Sequence, residues 1–141
     1  MAETRRAIGA LRGDALPLPE LLTELARGYR TDLGATATLT VSGEPRDLHA
    51  DAGLTLYRAA QEALTNVRKH APGATVELTL TYRPGDVELA VLNGPGGDGA
   101  LARAGGGYGL TGLRERAQLA GGECTAGPRD GGWRVGVRIP T

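Results

Sequence analysis

Four side chains in QEALTNVRKHA, namely Glu62, Asn66, Lys69 and His70, recur at the spacing of helical turns. On a helix advancing about 100° per residue they fall within one quadrant. Glu62 and Asn66 stand one turn apart, His70 lies one turn beyond Asn66, and Lys69 sits beside it. A carboxylate and a carboxamide offer the hard oxygen donors that Mg²⁺ takes, while an ammonium and an imidazole meet phosphate charge. The quartet has the chemistry of a site for a metal-bound phosphate. A solvated polar helix face would have the same composition, and spacing alone does not separate the two.

A second signal lies further on. Gly105-Gly106-Gly107-Tyr108-Gly109 runs straight into LTGLRERAQLA. Glycines let backbone amides approach an anion, and a helix N-terminus adds the positive end of its dipole. A linker ending in a capping glycine would read the same way. Gly107, Gly109 and Gly112 also match G-x-G-x-x-G, but a dinucleotide fingerprint needs a strand directly before it in a parallel βαβ unit. A glycine-alanine loop precedes it here, so that reading is set aside.

The elements that must position these groups follow from periodicity. Asp51 is the expected N-cap of a helix running to about Ala71, with Leu54, Tyr57, Ala60, Leu64, Val67 and Ala71 as its apolar stripe. PELLTELARGY reads as an earlier helix with Leu18, Leu21, Leu22 and Leu25 on one side, introduced by prolines. ATLTV, VELTLTY, DVELAVL, GECTAGP and WRVGVRIP read as strands. The second and third join through Arg83-Pro84-Gly85, a turn sequence. Every strand alternates, so the sheet has one covered face and one wet face. The fold class is α/β (α+β): a two-layer sandwich with a mixed, mostly antiparallel sheet and helices on one face.

Composition narrows the partners. The chain has 141 residues, with 16 basic against 16 acidic side chains. No charge excess points to nucleic acid or to an anionic membrane surface. Lys69 is the only lysine, within an arginine-rich composition. A lone cysteine, Cys124, excludes an internal disulfide and fits a reducing cytosol. No apolar run nears the roughly 18 residues that a membrane span needs, and no signal peptide opens the chain. A cytoplasmic domain without direct membrane contact is expected.

Taken together, in this order and on this topology, the motifs resemble a known family. QEALTNVRKHA is similar to the N-box of the Bergerat-type ATP-binding fold shared by histidine kinases, gyrase-type topoisomerases, Hsp90-type chaperones and MutL proteins. YRAAQEALTNVRKHAPGA, GGGYGLTGLRERAQLAGG and VGVRIP resemble, more narrowly, sensor histidine kinases of the nitrate-sensor and DesK-like subfamily. The likeness runs from about Leu16 to Thr141, and ETRRAIGALRG resembles the end of that subfamily's dimerisation helix. Residues 1–14 are then the end of that helix with its linker, and 15–141 the catalytic domain, with a lid at about 94–106.

The resemblance implies roles by position. Asn66 matches the asparagine that coordinates Mg²⁺, and Glu62 the acidic residue that orients a water or the metal. Lys69 and His70 match phosphate contacts, so His70 is not the phosphorylated histidine. Gly107 and Gly109, with Leu110 and Thr111, match the second glycine box. The first box reads D-x-G-x-G in the family, where this chain has Asn93-Gly94-Pro95-Gly96-Gly97. Asn93 still accepts from an adenine amino group through its carbonyl oxygen, without the charge, and weaker binding is expected. Gly97 holds the last glycine of that box. Trp133 stands where many relatives carry a threonine near adenine. His49 matches no motif and reads as a surface or structural residue.

The implied activity is that of a protein histidine kinase using ATP and Mg²⁺. Its γ-phosphate would pass to a histidine on a dimerisation domain absent from this chain, then to a response regulator. The full-length protein would be a homodimer, and any inner-membrane anchor would lie outside this domain. Two alternatives stay beside this: a nucleotide-binding regulatory module without transfer, and a related anti-sigma-factor-type serine kinase.

Overall fold

Alternation decides which face of the sheet is covered. The computed structural model describes residues 17–30, 33–94 and 110–141. Over these the chain runs α1 (Leu18–Gly28), β1 (Ala37–Ser42), α2 (Ala50–His70), β2 (Val76–Tyr82), β3 (Asp86–Asn93), α3 (Leu110–Leu119), β4 (Glu123–Arg129) and β5 (Gly132–Pro140). The expected helix end at residues 1–14, the lid beyond Gly94, and Gly97, Gly107 and Gly109 all lie outside the described residues.

One sheet has the order β1-β2-β3-β5-β4. The β1–β2 pair is parallel, with α2 as its crossover, and the other three pairs are antiparallel. Hairpins close at Arg83–Gly85 and at Asp130-Gly131. The second turn places Asp130 at φ 50 and Gly131 at φ 82, the left-handed pair that matches strand twist in tight hairpins.

On the covered face lie Leu78 and Leu80 of β2, Leu89 and Val91 of β3, and Val135, Val137 and Ile139 of β5, all buried. Removing this apolar surface from water is the main force holding the layers together. The other face carries Asp86, Glu88, Arg134 and Arg138. There Arg83 bonds Asp86 at 3.0 Å and Glu88 at 2.8 Å, while Arg134 reaches Glu88 at 3.3 Å. The two-layer reading holds, with this ion-pair network on the wet side.

Helix α2 differs from its expected form in two respects. It begins at Ala50, with His49 in extended backbone as the N-cap and the Gly53 N–H donating to the His49 carbonyl. Asp51 therefore sits inside the first turn, where its charge favours the helix dipole, and Arg68, Lys69 and His70 complement the other end. Its buried surface is also wider than the stripe of Leu54, Tyr57, Ala60, Leu64, Val67 and Ala71. Leu56, Ala59 and Ala63 are buried as well, while Leu54 is only half-buried. The cause is packing on several sides: α2 contacts α1, α3, β3 and β5, and its alanines allow the close approach.

Candidate functional site: the end of β3 beneath helix α2

Because β3 is antiparallel to both neighbours, its last residue meets the first residues of β2 and β5. Asn93 pairs with Val76 on one side and Trp133 on the other. The strand register thus brings a polar side chain, 7% exposed, to the covered face at one end of the sheet. Its amide nitrogen donates to the Gly94 carbonyl at 3.1 Å, which makes the carbonyl oxygen the acceptor end. Gly94 is itself held by its N–H donating to the Thr75 carbonyl at 3.1 Å.

Above this point lies the C-terminal half of α2. Ala63, Asn66 and Val67 face Val91, Asn93, Trp133 and Val135 across a small cavity. Asn66 is 9% exposed. It does not belong to a solvated face. A buried carboxamide is retained only where it is hydrogen-bonded, in the apoprotein or with a ligand.

The quartet does not converge on one point. Glu62 is half-buried and lines a second cleft with Arg58, Gln61, Gly112, Leu113 and Arg116, between α2 and the start of α3. Lys69 is exposed and His70 half-buried in the last turn of α2. Leu110 opens α3 and Thr111 is exposed in its first turn. That turn carries no acidic side chain, so the positive end of the helix dipole is not offset there. His49 is exposed, as expected. Sequence reasoning passed over Arg58 and Arg116 beside Glu62. Arg58 precedes Glu62 by one helical turn and was legible from spacing, whereas Arg116 reaches that cleft only through the packing of α3 on α2.

Asn66 and Glu62 stand on successive turns of one helix but line different cavities. Among the described residues, no three His, Cys, Asp or Glu side chains cluster closely enough to hold a metal ion by themselves.

Comparison with known proteins identifies the family. The family described as "Histidine kinase-, DNA gyrase B-, and HSP90-like ATPase" matches residues 51–141, from the first turn of α2 to the end of the chain. The chain belongs to this family. Within this ATPase family its relatives are sensor histidine kinases. Sensor histidine kinase LnrJ of Bacillus subtilis is 29% identical over 121 residues, which cover 85% of this chain. The match spans only 30% of LnrJ. Among solved structures, the Erythrobacter litoralis EL346 blue-light activated histidine kinase superposes with a TM-score of 0.67 at 20% identity, over 99% of this chain and 53% of that one. Histidine kinase ThkA in complex with response regulator protein TrrA gives a TM-score of 0.60 at 18% identity, over 87% of this chain and 38% of that one. These likenesses establish the fold, and the family model establishes an ATPase-type domain. Among the described residues, no helix is long and apolar enough to cross a membrane.

Proposed function

We propose that the cavity between Asn66 and Asn93 begins a binding site for magnesium-bound ATP, and that the parent protein is a sensor histidine kinase acting in the cytoplasm. The burial of Asn66 against the end of β3 carries this reading. Bound there, the nucleotide would supply the phosphoryl group for transfer.

The chain's own residues take up the remaining roles. The Asn66 side-chain oxygen would ligate Mg²⁺, and Glu62 would orient a water or the metal from the adjoining turn. Lys69 and His70, at the end of α2, offset phosphate charge. Asn93 accepts a hydrogen bond from the base amino group, with its nitrogen turned away toward Gly94. Gly97, Gly107, Gly109, Leu110 and Thr111 complete the contacts. Phosphoryl transfer depends mainly on positioning and charge neutralisation, and these groups are of the type it needs.

The phosphoacceptor is a histidine of a dimerisation domain, residues 1–14 are the end of its helix, and the full-length kinase is a homodimer that hands phosphate to a response regulator. The ThkA–TrrA complex supports the last step by analogy of fold.

Calorimetric titration with ATP and MgCl₂, alongside Asn66→Asp, tests the reading. Saturable heat that the substitution weakens is the expected result. An absence of binding by a folded sample would overturn it. Phosphohistidine formation on an added dimerisation domain then tests transfer.

A further inference from the structure

Helices α2 and α3 enclose a second, larger space that the proposed nucleotide site does not use. A cavity of about 600 Å³ lies between the first half of α2 and the end of α3. Leu54, Leu119 and Ala120 supply its apolar walls, and Arg58 and Arg116 reach it from the two helices. Its volume is in the range of small-molecule sites, which combine apolar walls with a few convergent polar groups.

Charge and apolar exposure both point to an occupant. Arg58 and Arg116 line this cavity and also the smaller one beside Glu62, so both side chains stand between the two spaces. Neither guanidinium has an ion-pair partner among the described residues, whereas Arg83, Arg134 and Arg138 each reach a carboxylate. Asp51 lines the cavity but pairs with neither arginine. Leu119, in the last turn of α3, is 89% exposed and is the most exposed large apolar side chain among the described residues. Covering it would remove apolar surface from water, which favours binding.

We propose that this cavity binds a small amphipathic monocarboxylate, its carboxylate held by Arg58 and Arg116 and its apolar body laid along Leu54 and Leu119. A guanidinium presents paired N–H donors that match the two oxygens of a carboxylate. A cation of the same shape would be repelled, and a bare anion would leave Leu119 in water. The site stands apart from the nucleotide cavity: Arg58 precedes Asn66 by eight residues, about 12 Å along a helix axis. The inference therefore does not rest on the nucleotide-binding reading.

The full chain is titrated by calorimetry with sodium octanoate, n-octylamine and inorganic phosphate in separate runs. Octanoate should saturate a single site, octylamine should give no saturable heat, and phosphate should bind far more weakly. Equal binding of octylamine would make the cavity a mere apolar patch, and equal binding of phosphate a simple anion site. Either result overturns the proposal, as does a folded sample that octanoate fails to saturate. Amide resonances of Leu54 and Ala120 should shift with octanoate, and shifts centred on α1 instead would place the acid elsewhere and refute the assignment. Arg58→Gln and Arg116→Gln should each weaken octanoate about tenfold and leave the heat of ATP with MgCl₂ near that of the wild type. Full octanoate affinity in both folded variants would sink the idea, and so would displacement of octanoate by ATP with MgCl₂. A chain that binds octanoate but no ATP would keep this site and remove the nucleotide one.

Discussion

The backbone of Gly132 lies against that of Asn93 so closely that a Cβ at position 132 would overlap the Asn93 carbonyl oxygen. The end of β3 and the start of β5 are drawn together here, and this contact sets the floor on which Asn93 and Trp133 stand. Gly132→Ala should therefore force the strands apart and destabilise the fold by about 1–3 kcal/mol. A urea melt checks this, and an unchanged midpoint would show that the strand end relaxes freely.

Glu88 links the central strands on the wet face through Arg83 and Arg134. Burial by itself raises its pKa, but hydrogen bonds from the two guanidiniums outweigh that and hold the carboxyl below its usual value of 4.5. The sign follows from linkage: a depressed folded pKa adds stability that is present above the unfolded value and lost as pH falls through the folded one. Acid below about pH 4.5 should weaken the wild type, and Glu88→Gln should flatten that part of the pH profile. Urea midpoints measured across the acid range would expose a parallel fall in both proteins, which would rule out this linkage.

Tyr29 is 1% exposed, and its hydroxyl has no hydrogen-bond partner among the described residues. The Arg68 guanidinium lies 5.3 Å from the centre of its ring. Because the buried oxygen is unpaired, Tyr29→Phe should be neutral or stabilising, within about 1 kcal/mol. Burial also raises the phenol pKa above 10.0, with Arg68 partly opposing. A raised folded pKa gives stability that is full below the unfolded value and lost as pH climbs through the folded one. Thermal melts in alkali should thus show the wild type losing stability there and the phenylalanine variant losing less.

Cys124 on β4 is half-buried. Burial pushes its thiol pKa up, more than the Arg114 charge lowers it. The thiolate is the reactive form, so alkylation by iodoacetamide near neutral pH should be slow in the native protein and fast in urea. Equal rates in both states would mean that the strand gives no protection.

Much of the fold was legible in local pattern. Alternation in VELTLTY and DVELAVL, with Arg83-Pro84-Gly85 between them, specifies a hairpin because side chains on a strand repeat every two residues. The polar spacing from Glu62 to His70 likewise placed the candidate groups on one sector of a helix. The family likeness then attached chemistry to them, and the family itself matches over residues 51–141.

Burial of individual groups was not local information. Glu62 and Asn66 look equivalent one turn apart, yet only Asn66 is tucked against the sheet, because α2 lies over the ends of β3 and β5 while Glu62 turns toward α3. The start of α2 at Ala50, one residue before Asp51, depended on the backbone bond from Gly53 to His49.

By itself, then, the sequence determined the kinds of elements, the covered face of each strand and the helix that carries the polar quartet, since these rest on periodicity within a few residues. Only the tertiary structure decided that β5 inserts between β3 and β4, that Trp133 comes to lie beside Asn93, and that the two enclose a space under Asn66. Those relations join residues far apart in the chain, and they are settled by which packing buries the most apolar surface and not by any local repeat.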